Sequence, residues 1–309
     1  MTRLIATALL MGGALIAGSC AGNSLGSHQA ICTQAPWSSD ATAEQVPIEE
    51  WLRLVVDDEQ QRVDCTGKPF EPAELPLRCA TAARPGTPSN LPIRTDRAKV
   101  RALPGGFGLF WVPVEEFTNG DRTLLVALVH TSKRALSVAG IGAVRLPPEQ
   151  ANMELQALKG EELLFASGAG CVPGGASKKC ERTLKLMLLH QGRFTPLELR
   201  DQDNSCHGET QVALTKSQEV RLETGWIRRF ELTSTYEVTN DGLVVNEQLV
   251  ALDRPANGDE ENSRLFRSSD ATRDLNFSGA YFVYQKESLW DGMREVRGDV
   301  RPASQSTDR

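Results

Sequence analysis

The chain has 309 residues, 40% of them hydrophobic and 24% charged, with a formal net charge of −6 at pH 7. This is the composition of a domain that can bury a core, and it excludes disordered and collagen-like chains. The mildly acidic balance argues against nucleic acid or an anionic lipid surface as the main partner.

At the N-terminus, Met1, Thr2 and Arg3 form a short positive segment, and Leu4 to Ala17 run almost without a polar group. An apolar run of about 14 residues suits the h-region of a signal peptide and is too short for the roughly 18 to 20 of a membrane-spanning helix. Ala17-Gly18-Ser19-Cys20 follows, and it resembles the lipobox of bacterial lipoprotein precursors. The preferred Leu three positions before the cysteine is Ala17 here, with Leu15 and Ile16 just upstream. The resemblance covers only the first twenty or so residues and names no family for the body. It implies removal of a signal peptide spanning 1–19, acylation of Cys20 on sulfur and on its new amino group, and a membrane partner held through the lipid. Several acyl chains anchor stably where one does so marginally. Ala21, not Asp, follows Cys20, which points to the outer membrane, with the body in the periplasm or at the cell surface. Cleavage by the ordinary signal peptidase, giving a free secreted protein, is the alternative.

Of the seven cysteines, Cys20 leaves six: Cys32, Cys65, Cys79, Cys171, Cys180 and Cys206. An even number in an exported chain predicts three disulfides. Proximity suggests Cys171 with Cys180 across Val172 to Ala176, and Cys65 with Cys79 across a Pro-rich stretch, leaving Cys32 with Cys206. No pair has the C-x₂-C spacing that zinc sites favour.

Residues 20–46 are rich in Ser, Ala, Gly, Thr and Gln and are expected to form a lipidated tether. Residues 47–104 are expected to hold a helix and a Pro-rich wrap. Pro47 suits the first helical position, Glu49 and Glu50 suit the positive end of the dipole, and Ile48, Trp51, Leu52 and Val55 share a face. That helix should end near Gln61. Pro69, Pro72, Pro76, Pro85, Pro88, Pro92 and Pro104 then exclude regular structure.

From 105 to 297 the pattern is that of an antiparallel β domain, short apolar runs separated by Gly, Asn, Asp and Pro. In Phe230 to Val238, apolar Phe230, Leu232, Tyr236 and Val238 alternate with Glu231, Thr233, Thr235 and Glu237. Asn240-Asp241-Gly242 supplies a hairpin turn into Leu243 to Leu252. Further strands are expected over Leu109 to Val114, Thr123 to His130, Leu163 to Ala166, Leu184 to His190, Gln211 to Leu214 and Ala280 to Gln285. Residues 298–309 read as a disordered tail. The fold class is therefore mainly β, an antiparallel meander, sandwich or propeller-like body with one N-terminal helix and three disulfides. One echo stands out: Arg122-Thr123-Leu124 through His130 reappears as Arg182-Thr183-Leu184 through His190. A duplicated hairpin unit would explain it, as would two ordinary apolar strands.

Catalytic signals are few. His130 and His190 each end an inward-facing row, and neighbouring strands would let them meet as a metal pair. The other reading has each simply closing a core. Asp201-Gln202-Asp203-Asn204-Ser205 has the oxygen spacing of half a calcium loop, but Cys206 replaces its glycine and Val212 its final Glu. Gly22-Asn23-Ser24-Leu25-Gly26 matches G-x-S-x-G inside the tether, away from any strand-turn-helix. No catalytic residue, metal or cofactor is assigned. The aromatic cluster Trp226, Phe230, Tyr236, Phe277, Tyr281, Phe282, Tyr284 and Trp290 reads first as core; the other reading is a candidate binding surface of Trp226, Arg228, Arg229, Tyr236, Tyr284 and Trp290, where rings and guanidinium groups suit a sugar or an anionic group. Three functions follow in order: a non-enzymatic binding or scaffold module for an envelope protein or glycan, a carrier of a lipid or apolar ligand, and a hydrolase or metal enzyme using His130 and His190.

Overall fold

The computed structural model describes residues 33–56, 88–174, 177–256 and 262–293. The signal peptide, Cys20, Cys32, Cys65, Cys79, the G-x-S-x-G match and the 298–309 tail lie outside these.

The elements in chain order begin with β1 (Thr33–Pro36), α1 (Ile48–Val55), β2 (Pro88–Asn90) and β3 (Lys99–Ala102). Six longer strands follow: β4 (Phe107–Phe117), β5 (Arg122–Thr131), β6 (Ala135–Leu146), β7 (Glu149–Leu158), β8 (Glu161–Gly174) and β9 (Ser177–His190). Three short ones come next, β10 (Arg193–Pro196), β11 (Glu198–Arg200) and β12 (Cys206–Glu209). The last meander is β13 (Gln211–Arg221), β14 (Trp226–Val238), β15 (Gly242–Pro255), β16 (Arg264–Phe277) and β17 (Tyr281–Tyr284). The mainly β expectation is met, with α1 the α-helix among the described residues.

All strands belong to one connected, mixed sheet. Successive strands pair antiparallel from β3 to β6, from β7 to β9 and from β13 to β17. Strand β10 joins the first two runs, lying parallel to β6 and antiparallel to β9. The lower half of β9 pairs with β13, and β11 runs parallel to β17, so the third run returns to its start through the β10–β11 segment. These pairings do not repeat as propeller blades. The two echoed segments are β5 and β9, and their surroundings differ: β5 pairs along its length with β6, whereas β9 is divided between β10 and β13.

Burial explains why β4 to β6 are apolar on both faces. One face carries Phe110, Val112, Leu125, Ala127, Val129 and Val138, covered by Trp51 and Val55 of α1 with Ala43 and Val46. The other carries Leu109, Trp111, Leu124, Val126 and Leu128, packed with Met153, Leu164, Met187 and Phe194 from β7 to β10. Strand β10 approaches β6 closely because β6 has glycines there. A Cβ on Gly142 would stand 2.5 Å from Phe194 Cβ, and one on Gly140 2.6 Å from Leu189 Cδ1. A third core lies between β8, β9 and the last meander, with Phe165, Leu186, Val245, Phe277 and Phe282. A fourth, smaller one sets Trp290 against Phe230, Leu232, Leu249 and Ala251.

Three expectations need correction. The helix ends at Val55, not near Gln61, because Val56 turns extended at φ −121° and ψ 105° and packs against the first core. Residues 33–46 belong to the body: β1 pairs with β6, Trp51 Nε1 donates to Ala43 O at 3.0 Å, and Ala43 and Val46 are buried. The wrap contains β2 and β3, both on the edge of β4. Of the three expected disulfides, Cys171–Cys180 is seen, closing the β8–β9 hairpin between directly opposed residues. Cys206 is also disulfide-bonded, its partner outside the described residues. Among the described residues no helix is long and apolar enough to cross a membrane.

Candidate binding site at one end of the last meander

Trp226, Arg228, Phe230, Leu232, Ser234 and Tyr236 share one face of β14, by alternation. The central part of that face is buried at Phe230 and Leu232. Toward Trp226 the strands β14, β15 and β16 continue past the core, and the same face becomes partly open. There Arg228 is paired in register with Asp253, and Asp253 with Arg264, so three charges of alternating sign form one row across three strands. Arg228 Nε and Nη2 donate to Asp253 Oδ1 and Oδ2 at 2.7 and 2.9 Å. This two-pronged bond holds the Asp253 carboxyl below its usual range, aided by the charges of Arg228 and Arg264, and raises Arg228.

Two aromatic rings complete the row. Arg264 stacks over Trp226 with its guanidinium carbon 4.3 Å from the ring centre, and Arg228 stacks over Phe266 at 3.4 Å. Phe266 reaches that position through a bulge: Ala251 pairs with Arg267 and Leu252 with Leu265, leaving Phe266 as the extra residue of β16. Among the described residues Leu265 and Phe266 are the exposed large hydrophobic ones, at 63% and 52%, and Leu265, paired with Leu252 opposite Arg229, lies on the other face of the sheet. Planar cations over two partly open rings make a surface that takes an apolar group together with an acidic one.

Of the residues that sequence reasoning grouped, Trp226 and Arg228 share this face, and the others lie elsewhere. Arg229 lies on the opposite face of β14 and pairs with Glu231. Tyr236 stacks on Phe165 at 6.1 Å, Tyr284 is buried with its ring 5.2 Å from His207, and Trp290 is buried with Lys216 over its ring at 5.2 Å. Burial pushes the Tyr236 and Tyr284 hydroxyls upward. Asp253, Arg264 and Phe266 were missed. Their one sequence signal is an adjacent Leu-Phe between arginines, in a stretch otherwise polar.

The two histidines do not meet. Strands β6 and β10 lie between β5 and β9, and the rows that His130 and His190 end belong to different cores. His130 packs on Phe107 with ring centres 4.5 Å apart, while His190 is exposed opposite Arg193. The Asp201 turn is self-satisfied: Ser205 N–H donates to Asp201 Oδ1 at 2.8 Å, and His207 Nε2 lies 2.8 Å from Oδ2. Those bonds, the His207 one foremost, hold the Asp201 carboxyl low. Among the described residues no group of three or more His, Cys, Asp and Glu is placed to hold a metal ion.

A second concavity, of about 480 Å³, lies on the outer face of β14 to β16 and is lined by Thr233, Thr235, Asn246, Gln248, Asp270 and Thr272. Its groups bond one another: Thr272 Oγ1 donates to Asn246 Oδ1 at 2.7 Å and Gln248 Nε2 to Asp270 Oδ1 at 3.1 Å. Comparison with family models, with characterised proteins and with solved structures finds no match, so the functional argument rests on these residues.

Proposed function

We propose that the protein is a lipoprotein anchored in the bacterial cell envelope through Cys20, and that its β body is a non-enzymatic binding module whose partner is another envelope protein. The observation that carries this reading is the Trp226–Arg264, Arg228–Phe266 platform. Phe266 stays exposed and Trp226 half-buried while the cores beneath the sheet are filled with side chains. Arginine and aromatic residues grouped in this way supply most of the energy of protein interfaces. The carrier reading called for a large apolar cavity, and the concavity on β14 to β16 is polar and open instead. The enzyme reading needed His130 and His190 together. Bridges Cys65–Cys79 and Cys32–Cys206 complete this picture of a stapled body outside the cytoplasm, and a bonded Cys206 is what the second requires.

The test is a photo-crosslinking residue placed at Phe266 in cells. A discrete protein adduct is expected, lost when Trp226→Ala is added and absent when the crosslinker stands at Thr233 on the outer face. Equal adducts from both positions, or lipid or glycan alone on Phe266, would overturn the reading.

A further inference from the structure

Strand β16 is paired with β15 from Arg264 to Asn276. On its other side, β17 covers only Leu275, Asn276 and Phe277. Beyond Tyr284 the chain leaves that edge and crosses beneath the sheet, where Leu289 N–H and Ser288 Oγ donate to Glu247 at 2.7 and 3.1 Å and Trp290 fills the fourth core. Among the described residues, the main chain of 264–274 therefore has no strand on that side. Long open edges recruit other strands and are normally covered or blunted. The edge of β7 is engaged, since Arg101 Nη1 donates to Met153 O at 3.1 Å. That of β16 carries only the Phe266 bulge and its own charges.

We propose that β16 pairs antiparallel with β16 of a second copy of this chain, about a twofold axis at Ser269, extending one sheet through both molecules. The axis follows from symmetry, because two identical antiparallel strands must set one residue opposite itself, and Ser269 is the midpoint of 264–274. Charge then selects the register. With Ser269 on the axis, Arg264 of each copy faces Asp274 of the other and no like charges oppose. The long Arg264 side chain spans the one-residue offset of the bulge. Moving the axis to Asp270 would set Asp270 against itself and Arg267 against Arg273, while moving it to Ser268 would form no opposite-charge pair. This inference goes beyond the platform reading, since the pairing uses main-chain groups of the edge and leaves Trp226 and Arg228 on the inner face; Arg264, which stacks on Trp226, is common to both.

Native mass spectrometry of the full chain purified in detergent tests it. Wild-type protein is expected to give a dimer. Arg264→Asp and Asp274→Arg should each weaken self-association roughly tenfold or more, because like charges then meet at both ends. An equimolar mixture of the two variants should restore association as a one-to-one heterodimer, since each carries the charges the other lacks, and that recovery also shows that both variants are folded. A wild-type monomer, a complex with a different protein only, single variants that dimerise as the wild type does, or a mixture that stays monomeric would each overturn the proposal. The Phe266 adduct is identified by mass, one with a different protein bearing on the platform and one with a second copy on this pairing, so failure here leaves the platform reading standing.

Discussion

Asp253 sits between two guanidinium groups at the edge of water, and this placement makes it the residue through which pH acts on the platform. Its carboxyl is held below the ordinary range near 3.9, so folding gains stability from the ionised form. A lowered folded value means that the gain is fully present above about pH 4 and is lost as pH falls through the folded value beneath it. Unfolding by urea, followed from pH 7 to pH 2.5, should show this loss. Asp253→Asn should cost about 2 kcal/mol at pH 7, the worth of a hydrogen bond to a charged group, and much less at the acid end. An equal cost at both ends would refute the role. A second buried pair, Arg273 Nε 2.8 Å from Glu247 Oε1, is an ion contact whose angle is poor for a hydrogen bond. Its carboxylate is instead bonded through Oε2 to the chain segment that follows β17. Alternation put Trp226 and Arg228 on one face, but it had no access to the bulge that turns Phe266 toward Arg228, because a bulge is a property of two strands in register.

At the scale of elements, the β14–β15 hairpin was readable because one of its faces is wet and the other dry along much of its length, and an Asn-Asp-Gly turn joins the strands. Strands β6 and β16 escaped notice for opposite reasons. In β6 small residues and glycines replace the large apolar ones, since β10 packs directly on it. In β16 the stretch from Arg264 to Thr272 is almost wholly polar or exposed, since it is an edge. Helix α1 was visible from its apolar face, and what it covers is the outer side of β4 to β6. Trp51 is the contact that matters, with no exposed surface and its indole N–H on Ala43 O. Trp51→Ala should destabilise the protein by about 3 to 5 kcal/mol in chemical denaturation. Trp51→Phe should cost clearly less, because it keeps the apolar volume and gives up one hydrogen bond. A loss below about 1 kcal/mol for the alanine variant would mean that α1 contributes little to the core.

For the whole molecule, the open questions are where it is held and by what. The mature chain is expected to begin at an acylated Cys20, and mass spectrometry of the N-terminal peptide from envelope fractions checks this. A free, unmodified terminus at another residue would remove the anchor and return the alternative of a secreted protein. Strand β1 begins at Thr33 and is paired to β6, so the segment available as a tether is at most 21–32, shorter than the composition of residues 20–46 implied. A short tether would keep the body near the bilayer and restrict which partners its platform can meet.

Sequence alone determined that this chain is mainly β, that a helix near its start precedes the long strands, and that Cys171 and Cys180 are bridged. These follow from local signals: side-chain alternation, turn residues, and proximity along the chain. Tertiary structure decided which strands neighbour one another, and with it nearly everything about the site. His130 and His190 read alike along the chain, yet they end rows of different cores because β6 and β10 come between their strands. Tyr284 and Trp290 are core and Tyr236 packs against it, the first of the two readings that the aromatic cluster allowed, whereas Leu265 and Phe266 carried no pattern and are exposed. Alternation assigns a residue to one of two faces, but whether a face is covered depends on segments distant in sequence.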